Sequence, residues 1–197
     1  MKKFDLRKIR LKTTRIDDID DRMLLINLYA TQAITFIIGF VWLLFQRRNP
    51  FSLYAPENDW QFLYWGLGLA AAVVLLDMLA ARFVPDEAND DGGVNDRIFR
   101  TRPIWHIALL SLVVAICEET LFRGAVQHHI GPYWTSIVFA TIHVRYLRHW
   151  IPTGLVFVIS YALGWIYIRT GTLLAPILAH FVIDLVMGLV IRFRREP

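Results

Sequence analysis

Cysteine is all but missing from this 197-residue chain, in which Cys117 stands alone. A single cysteine excludes an intrachain disulfide and any Cys-x-x-Cys metal or redox site. No base is placed to activate the thiol, so a packing role is expected for it. Charge is also sparse, at 19% of residues, and it largely avoids the long apolar blocks. The start of the chain has no apolar core followed by a small-residue cleavage site, so no cleavable signal peptide is expected. Apolar–polar alternation is lacking too, since the apolar residues fall in blocks.

Those blocks dominate what is present. Hydrophobic residues make up 56% of the chain, against about 45–50% in a soluble domain, and the mean hydropathy is +0.44. The expected fold is all-α: a polytopic membrane helical bundle of about six transmembrane helices. A basic and acidic cytoplasmic segment over residues 1–24 precedes a single transmembrane domain over residues 25–193. The net charge of +4 does not point to nucleic acid, because the basic residues flank the apolar blocks. Lipid bilayer is the partner that this composition demands.

Residues 1–24 hold eight Lys or Arg and five Asp, and form an interfacial helix or no fixed structure. Spans are expected at about 24–45 and 62–83. Asp77, inside the second span, reads best as a residue near the membrane edge. Residues 85–102 read as a polar loop that finishes in a short amphipathic segment at Arg97 to Arg102. A third span begins near Pro103, a residue suited to a helix start. A tight turn at His128 to Tyr133 leads into a short apolar run over 133–144, too short for a full crossing of about 20 residues. The last two spans cover about 150–169 and 173–193, separated at Thr170–Gly171. With six spans and an internal N-terminus, 17 Lys or Arg fall on the cytoplasmic side and three on the other, apart from Arg123. Both termini are therefore expected in the cytoplasm.

Three places put polar groups where a bilayer makes them costly. Glu118, Glu119 and Arg123 follow the apolar run WHIALLSLVVAIC; His143 ends SIVFATIH; His180 and Asp184 lie in PILAHFVIDLVMG. Ionisable groups inside spans mark functional sites by default. Glu119 and Arg123 share a helix face and can pair, which lowers the penalty on each charge. Glu118 lies about 100° further round and is left for chemistry. Phe139 precedes His143 by one turn on the same face.

The set Glu118, His143, His180 and Asp184 admits two mechanisms. In the first, Glu118 and His143 deprotonate a water that attacks a carbonyl, while His180 and Asp184 stabilise the oxyanion. In the second, the same four residues hold a divalent ion such as zinc, which activates the water. Spacing does not choose between them. His106, His128, His129 and His149 sit at span edges and read as interfacial.

The ordered motifs Glu-Glu-x-x-x-Arg, Phe-x-x-x-His and His-x-x-x-Asp resemble those of the CAAX protease and bacteriocin-processing (Abi) family of intramembrane endopeptidases, which includes the Ras-converting enzyme. The resemblance spans about residues 103–190, the expected catalytic core. It implies hydrolysis of peptide bonds in membrane-bound protein or peptide substrates. It implies that Glu118 and His143 act on the water and that His180 and Asp184 serve the oxyanion, with Glu119, Arg123 and Phe139 in support. It leaves zinc and metal-free chemistry both open. The family's prokaryotic members suggest a plasma-membrane location and a substrate without a prenyl group. The alternative is a non-catalytic scaffold or bacteriocin-immunity protein that binds a membrane partner. His-Glu-x-x-His, Gly-x-Gly-Asp and Gly-x-Ser-Gly motifs are absent, which lowers the rival intramembrane protease readings.

Overall fold

A computed structural model of the chain describes residues 20–55, 60–80, 93–144, 146–147 and 149–194. Most of the charged N-terminal segment, residues 85–92 of the 85–102 loop, and Arg145 and Arg148 lie outside the described residues. Within them the fold is helical and no strand is present. The helices are α1 (Asp21–Phe45), α2 (Gln61–Ala80), a short α3 (Val94–Phe99), α4 (Ile104–Glu119), α5 (Gln127–Ile142), α6 (Trp150–Thr170) and α7 (Leu174–Phe193). A π-helical segment, Thr120–Val126, joins α4 to α5. Five helical stretches are long and apolar enough to cross a membrane, counting Ile104–Ile142 as one.

That last stretch is not straight. Phe122 and Phe139 are 17 positions apart in sequence, about 25 Å along a continuous helix, yet their ring centroids lie 4.8 Å apart. The chain doubles back at Gly131, whose φ of 73° and ψ of 171° interrupt the helix. Glycine takes a positive φ without the steric cost of a Cβ, and Pro132 follows as the first residue of the returning arm. The expected turn is thus present, and the 133–144 run is a separate arm.

The other boundaries follow the residues closely. Gly171 ends α6 in the left-handed conformation, φ 67°, a common helix stop. The amphipathic segment expected at Arg97 to Arg102 is α3, displaced to Val94–Phe99. Its buried Val94 and Ile98 pack with Leu110 of α4. Asp77 is exposed near the described end of α2 and does not line the cavity described below.

Helix α7 is the centre of the bundle and packs on α2, α4, α6 and α3. Inside a bilayer there is little hydrophobic drive between helices, so close packing and hydrogen bonds hold them together. Small residues permit it: Ala175, Ala179 and Gly188 of α7 are buried, as is Ala115 of α4. Helix α1 packs on α4 and on the π-helical segment. A Cβ on Gly39 would sit 2.8 Å from the Leu121 Cα, so glycine is required for that approach.

Candidate active site

The π-helical segment sets the site's geometry. Such segments insert one residue into a helix and leave backbone carbonyls without their usual partners. Two side chains just past α1 take them up: Arg48 Nη1 donates to the Gly124 carbonyl at 2.6 Å, and Gln46 Nε2 to the Ala125 carbonyl at 2.9 Å. Arg48 Nη2 also donates to the Tyr167 hydroxyl at 3.0 Å. From the adjoining 3-10 turn (Phe51–Tyr54), the Tyr54 hydroxyl meets Thr120 Oγ1. Burial raises the Tyr54 pKa above its usual value, partly countered by the Thr120 hydrogen bond. The loop after α1 therefore clamps the segment that carries the charged motif.

Glu119 and Arg123 are fully buried and paired, Arg123 Nη1 to Glu119 Oε1 at 3.0 Å. The pair spans the junction between α4 and the π-helical segment, so the i,i+4 contact survives the change of helix type. Arg123 Nη2 donates to both the backbone oxygen and the Oγ of Ser160, each at 2.9 Å. The guanidinium also lies 4.9 Å from the centroid of the Phe139 ring, a cation–π distance. Glu119 Oε1 has a second partner, His180 Nδ1 at 2.8 Å. One carboxylate thus links α4, the π-helical segment and α7, and through Arg123 reaches α5 and α6.

Glu118 faces another way. It is half-buried, and its Oε1 accepts from Gln32 Nε2 of α1 at 3.0 Å. His143 caps α5 with non-helical φ −79° and ψ 55°. Its ring lies 4.5 Å from the Phe139 ring, and its Nδ1 is 2.7 Å from the Phe139 carbonyl. A carbonyl only accepts, so Nδ1 carries a proton, and in the neutral form of the ring Nε2 is the acceptor. On α7, His180 Nε2 is 3.4 Å from Asp184 Oδ2, the looser of its two contacts.

Glu118, His143, His180 and Asp184 all line one cavity of about 300 Å³. Gln32, Phe139, Asn95 and Tyr146 also border it, and Asn95 Nδ2 donates to the Tyr146 hydroxyl at 3.1 Å. The four candidate residues are therefore gathered at one place, while Glu119 and Arg123 lie behind its wall. Cys117 is buried and does not border the cavity. His128 and His129 are exposed, and His106 meets the Tyr29 hydroxyl at 3.0 Å, outside the site.

Among the described residues, no three His, Cys, Asp or Glu side chains are arranged to hold a metal ion. The four residues offered above as a zinc set share a cavity without forming such a group. His143 Nδ1 and His180 Nδ1 are both committed to oxygen partners.

Gln32, Ser160 and Arg48 were not anticipated. Gln32 is an amide in the apolar run of α1, a signal that was legible. Ser160 carried none, because a serine in a span usually bonds its own helix.

Residues 100–186 match the family described as Rce1-like, type II CAAX prenyl endopeptidase Rce1-like. The chain is also 44% identical over 136 residues to the uncharacterized protein YpbD of Bacillus subtilis (strain 168), covering 69% of this chain and 72% of that relative. No solved structure matches it.

Proposed function

Because the chain belongs to the Rce1-like family of CAAX-type proteases and is a multi-pass membrane protein, we propose that it is an intramembrane endopeptidase acting through a glutamate- and histidine-activated water. Its substrates are membrane-associated proteins or peptides. The observation that carries this reading is the meeting of Glu118, His143, His180 and Asp184, from α4, the end of α5 and α7, on one cavity inside an apolar bundle. The domain is one transmembrane unit over residues 25–193, with both termini on the cytoplasmic side, as the basic bias supports.

Water held between Glu118 and His143 Nε2 gives its proton to the carboxylate as its oxygen attacks the substrate carbonyl carbon. Gln32 steadies Glu118 through Oε1, which leaves Oε2 for that proton. His180 Nε2 and Asp184 Oδ2 lie 3.4 Å apart on the oxyanion side, and a proton carried by either group is the donor to the oxyanion. Collapse of the tetrahedral adduct breaks the C–N bond, and Glu118 returns its proton to the leaving amine. Glu119 and Arg123 touch no reacting atom; they position His180 and Phe139. No step here is routed through a metal.

The test is release of peptide from a pooled library of membrane-proximal peptides by purified protein in liposomes, with Glu118→Gln beside it. Cleavage that survives Glu118→Gln sinks the mechanism. Cleavage lost to a chelator and restored by zinc overturns the metal-free part of it. If wild type is silent while a host phenotype survives Glu118→Gln, the scaffold reading replaces the hydrolase.

A further inference from the structure

His143 carries the imidazole that the proposed reaction sets beside the water, yet it stands where α5 has ended. Its backbone has φ −79° and ψ 55°, and the residue is half-buried. The ring bonds back to its own turn, Nδ1 to the Phe139 carbonyl at 2.7 Å. One such bond fixes a point on the ring and leaves its plane free to tilt. A reacting group misplaced by about 1 Å can cost about 10² in rate, so a tilting imidazole would make a poor partner for Glu118.

A second ring supplies what that bond lacks. The Tyr146 amide donates to the His143 carbonyl at 2.9 Å. That turn brings the Tyr146 ring nearly parallel to the imidazole, at an interplanar angle of 11° with centroids 6.4 Å apart. Paired aromatic rings stack at about 4.5–7 Å. With Phe139 at 4.5 Å, the imidazole has one aromatic neighbour from the turn before it and one from the turn after. Tyr146 is itself tied to two other helices. Its carbonyl accepts from the Thr153 hydroxyl of α6 at 2.6 Å and from the His149 amide at 2.9 Å. Its hydroxyl accepts from Asn95 Nδ2 of α3 at 3.1 Å. Val144 and Leu147, close to it in sequence, turn outward and are 67% and 47% exposed. Tyr146 is half-buried and borders the cavity that gathers the four candidate residues. A tyrosine that only anchored the loop at a bilayer surface would face outward with them.

We infer that Tyr146 is a positioning residue for His143: its ring sets the plane of the imidazole, and Asn95 of α3 holds that ring through the hydroxyl. The inference rests on the endopeptidase reading and deepens it. Tyr146 belongs to none of the three sequence motifs, and Asn95 lies before the matched residues 100–186. The short α3 thereby joins the support of the water-activating side.

The experiment compares wild type with Tyr146→Leu, Tyr146→Phe, Asn95→Leu and the double variant Asn95→Leu with Tyr146→Phe. Peptide release in liposomes gives kcat and KM. Nitrogen NMR of the histidine-labelled protein in micelles, at a pH where the ring is neutral, reads the His143 tautomer. Its signals are assigned by their loss in His143→Gln. Tyr146→Leu should lower kcat by about 10–10², leave KM with wild type, and turn the Nδ1–H tautomer into a mixture. Tyr146→Phe keeps the ring and should recover most of both. The double variant should be no slower than Asn95→Leu alone, because the two changes remove the same hydrogen bond. A loss confined to KM, or a tautomer unmoved in Tyr146→Leu, overturns the positioning role. A double variant whose loss is the product of the two singles overturns the part given to Asn95. Tyr146→Met, a chain of similar reach, takes the place of Tyr146→Leu if that protein does not fold. If wild type releases no peptide, the endopeptidase reading fails, and the tautomer alone decides the role of Tyr146.

Discussion

Glu118 and Glu119 are neighbours in sequence, yet they belong to two regions governed by different physics. Glu119, Arg123 and Ser160 form a buried network in which Arg123 bonds to a carboxylate, a carbonyl and a hydroxyl. Glu118, His143 and Asp184 border a cavity; Glu118 and His143 each hold one hydrogen bond, and Asp184 has only the 3.4 Å approach of His180 Nε2. Roughly 100° of helix rotation separates a group that holds the bundle from one that can work on a substrate. His180 belongs to both, tied through Nδ1 to the network and through Nε2 to the cavity.

Breaking the cavity side should give the largest effect on turnover. Glu118→Gln keeps the shape and removes the proposed base, so kcat/KM should fall by about 10²–10⁴. The thermal midpoint in detergent should stay with wild type; a midpoint that drops with activity would make Glu118 part of the framework.

Breaking the network should do the reverse. Arg123→Met leaves Glu119 buried without its cation, at a cost of about 3–5 kcal/mol. Unfolding in mixed micelles would measure it. The double change Glu119→Gln with Arg123→Met should recover part of that loss, since the stranded charge is gone. A double variant no more stable than Arg123→Met would show that the pair itself, rather than the stranded charge, sets the cost.

Ser160→Ala sharpens the comparison at smaller scale. Arg123 keeps the Ser160 carbonyl and loses the hydroxyl, one hydrogen bond to a charged group, about 1.5 kcal/mol by the same unfolding assay. Cys117→Ala should do least: the thiol does not border the cavity, so cleavage of the library peptides should match wild type. A large loss of cleavage there would give the thiol a role in the chemistry.

Much of this was legible beforehand. Apolar blocks longer than a membrane is thick left no alternative to helices, so the spans at α1, α2, α6 and α7 fall near their expected bounds. The charged residues inside those blocks betrayed themselves by their cost, which is why Glu118, Glu119, Arg123, His180 and Asp184 stood out. Local patterns also placed the turn near Gly131 and the stop at Gly171. The short α3 was shifted, because a six-residue helix is settled by what it packs on, here Leu110 of α4.

The π-helical segment and the pairings between residues distant in the chain were not legible. An extra residue in a helix leaves no mark in apolar periodicity, and Arg48 and Gln46 become its clamps by position alone. Gln32 lies 86 residues from Glu118, and Ser160 lies 37 from Arg123. A membrane-spanning helical chain, and the residues whose burial had to be offset, follow from the order of residues alone, because bilayer energetics act on each residue locally. Which partners offset them, and which carboxylate was left facing a cavity, came from the packing of the folded bundle. Those outcomes depend on the approach of helices distant in the chain, and single residues do not encode a distance.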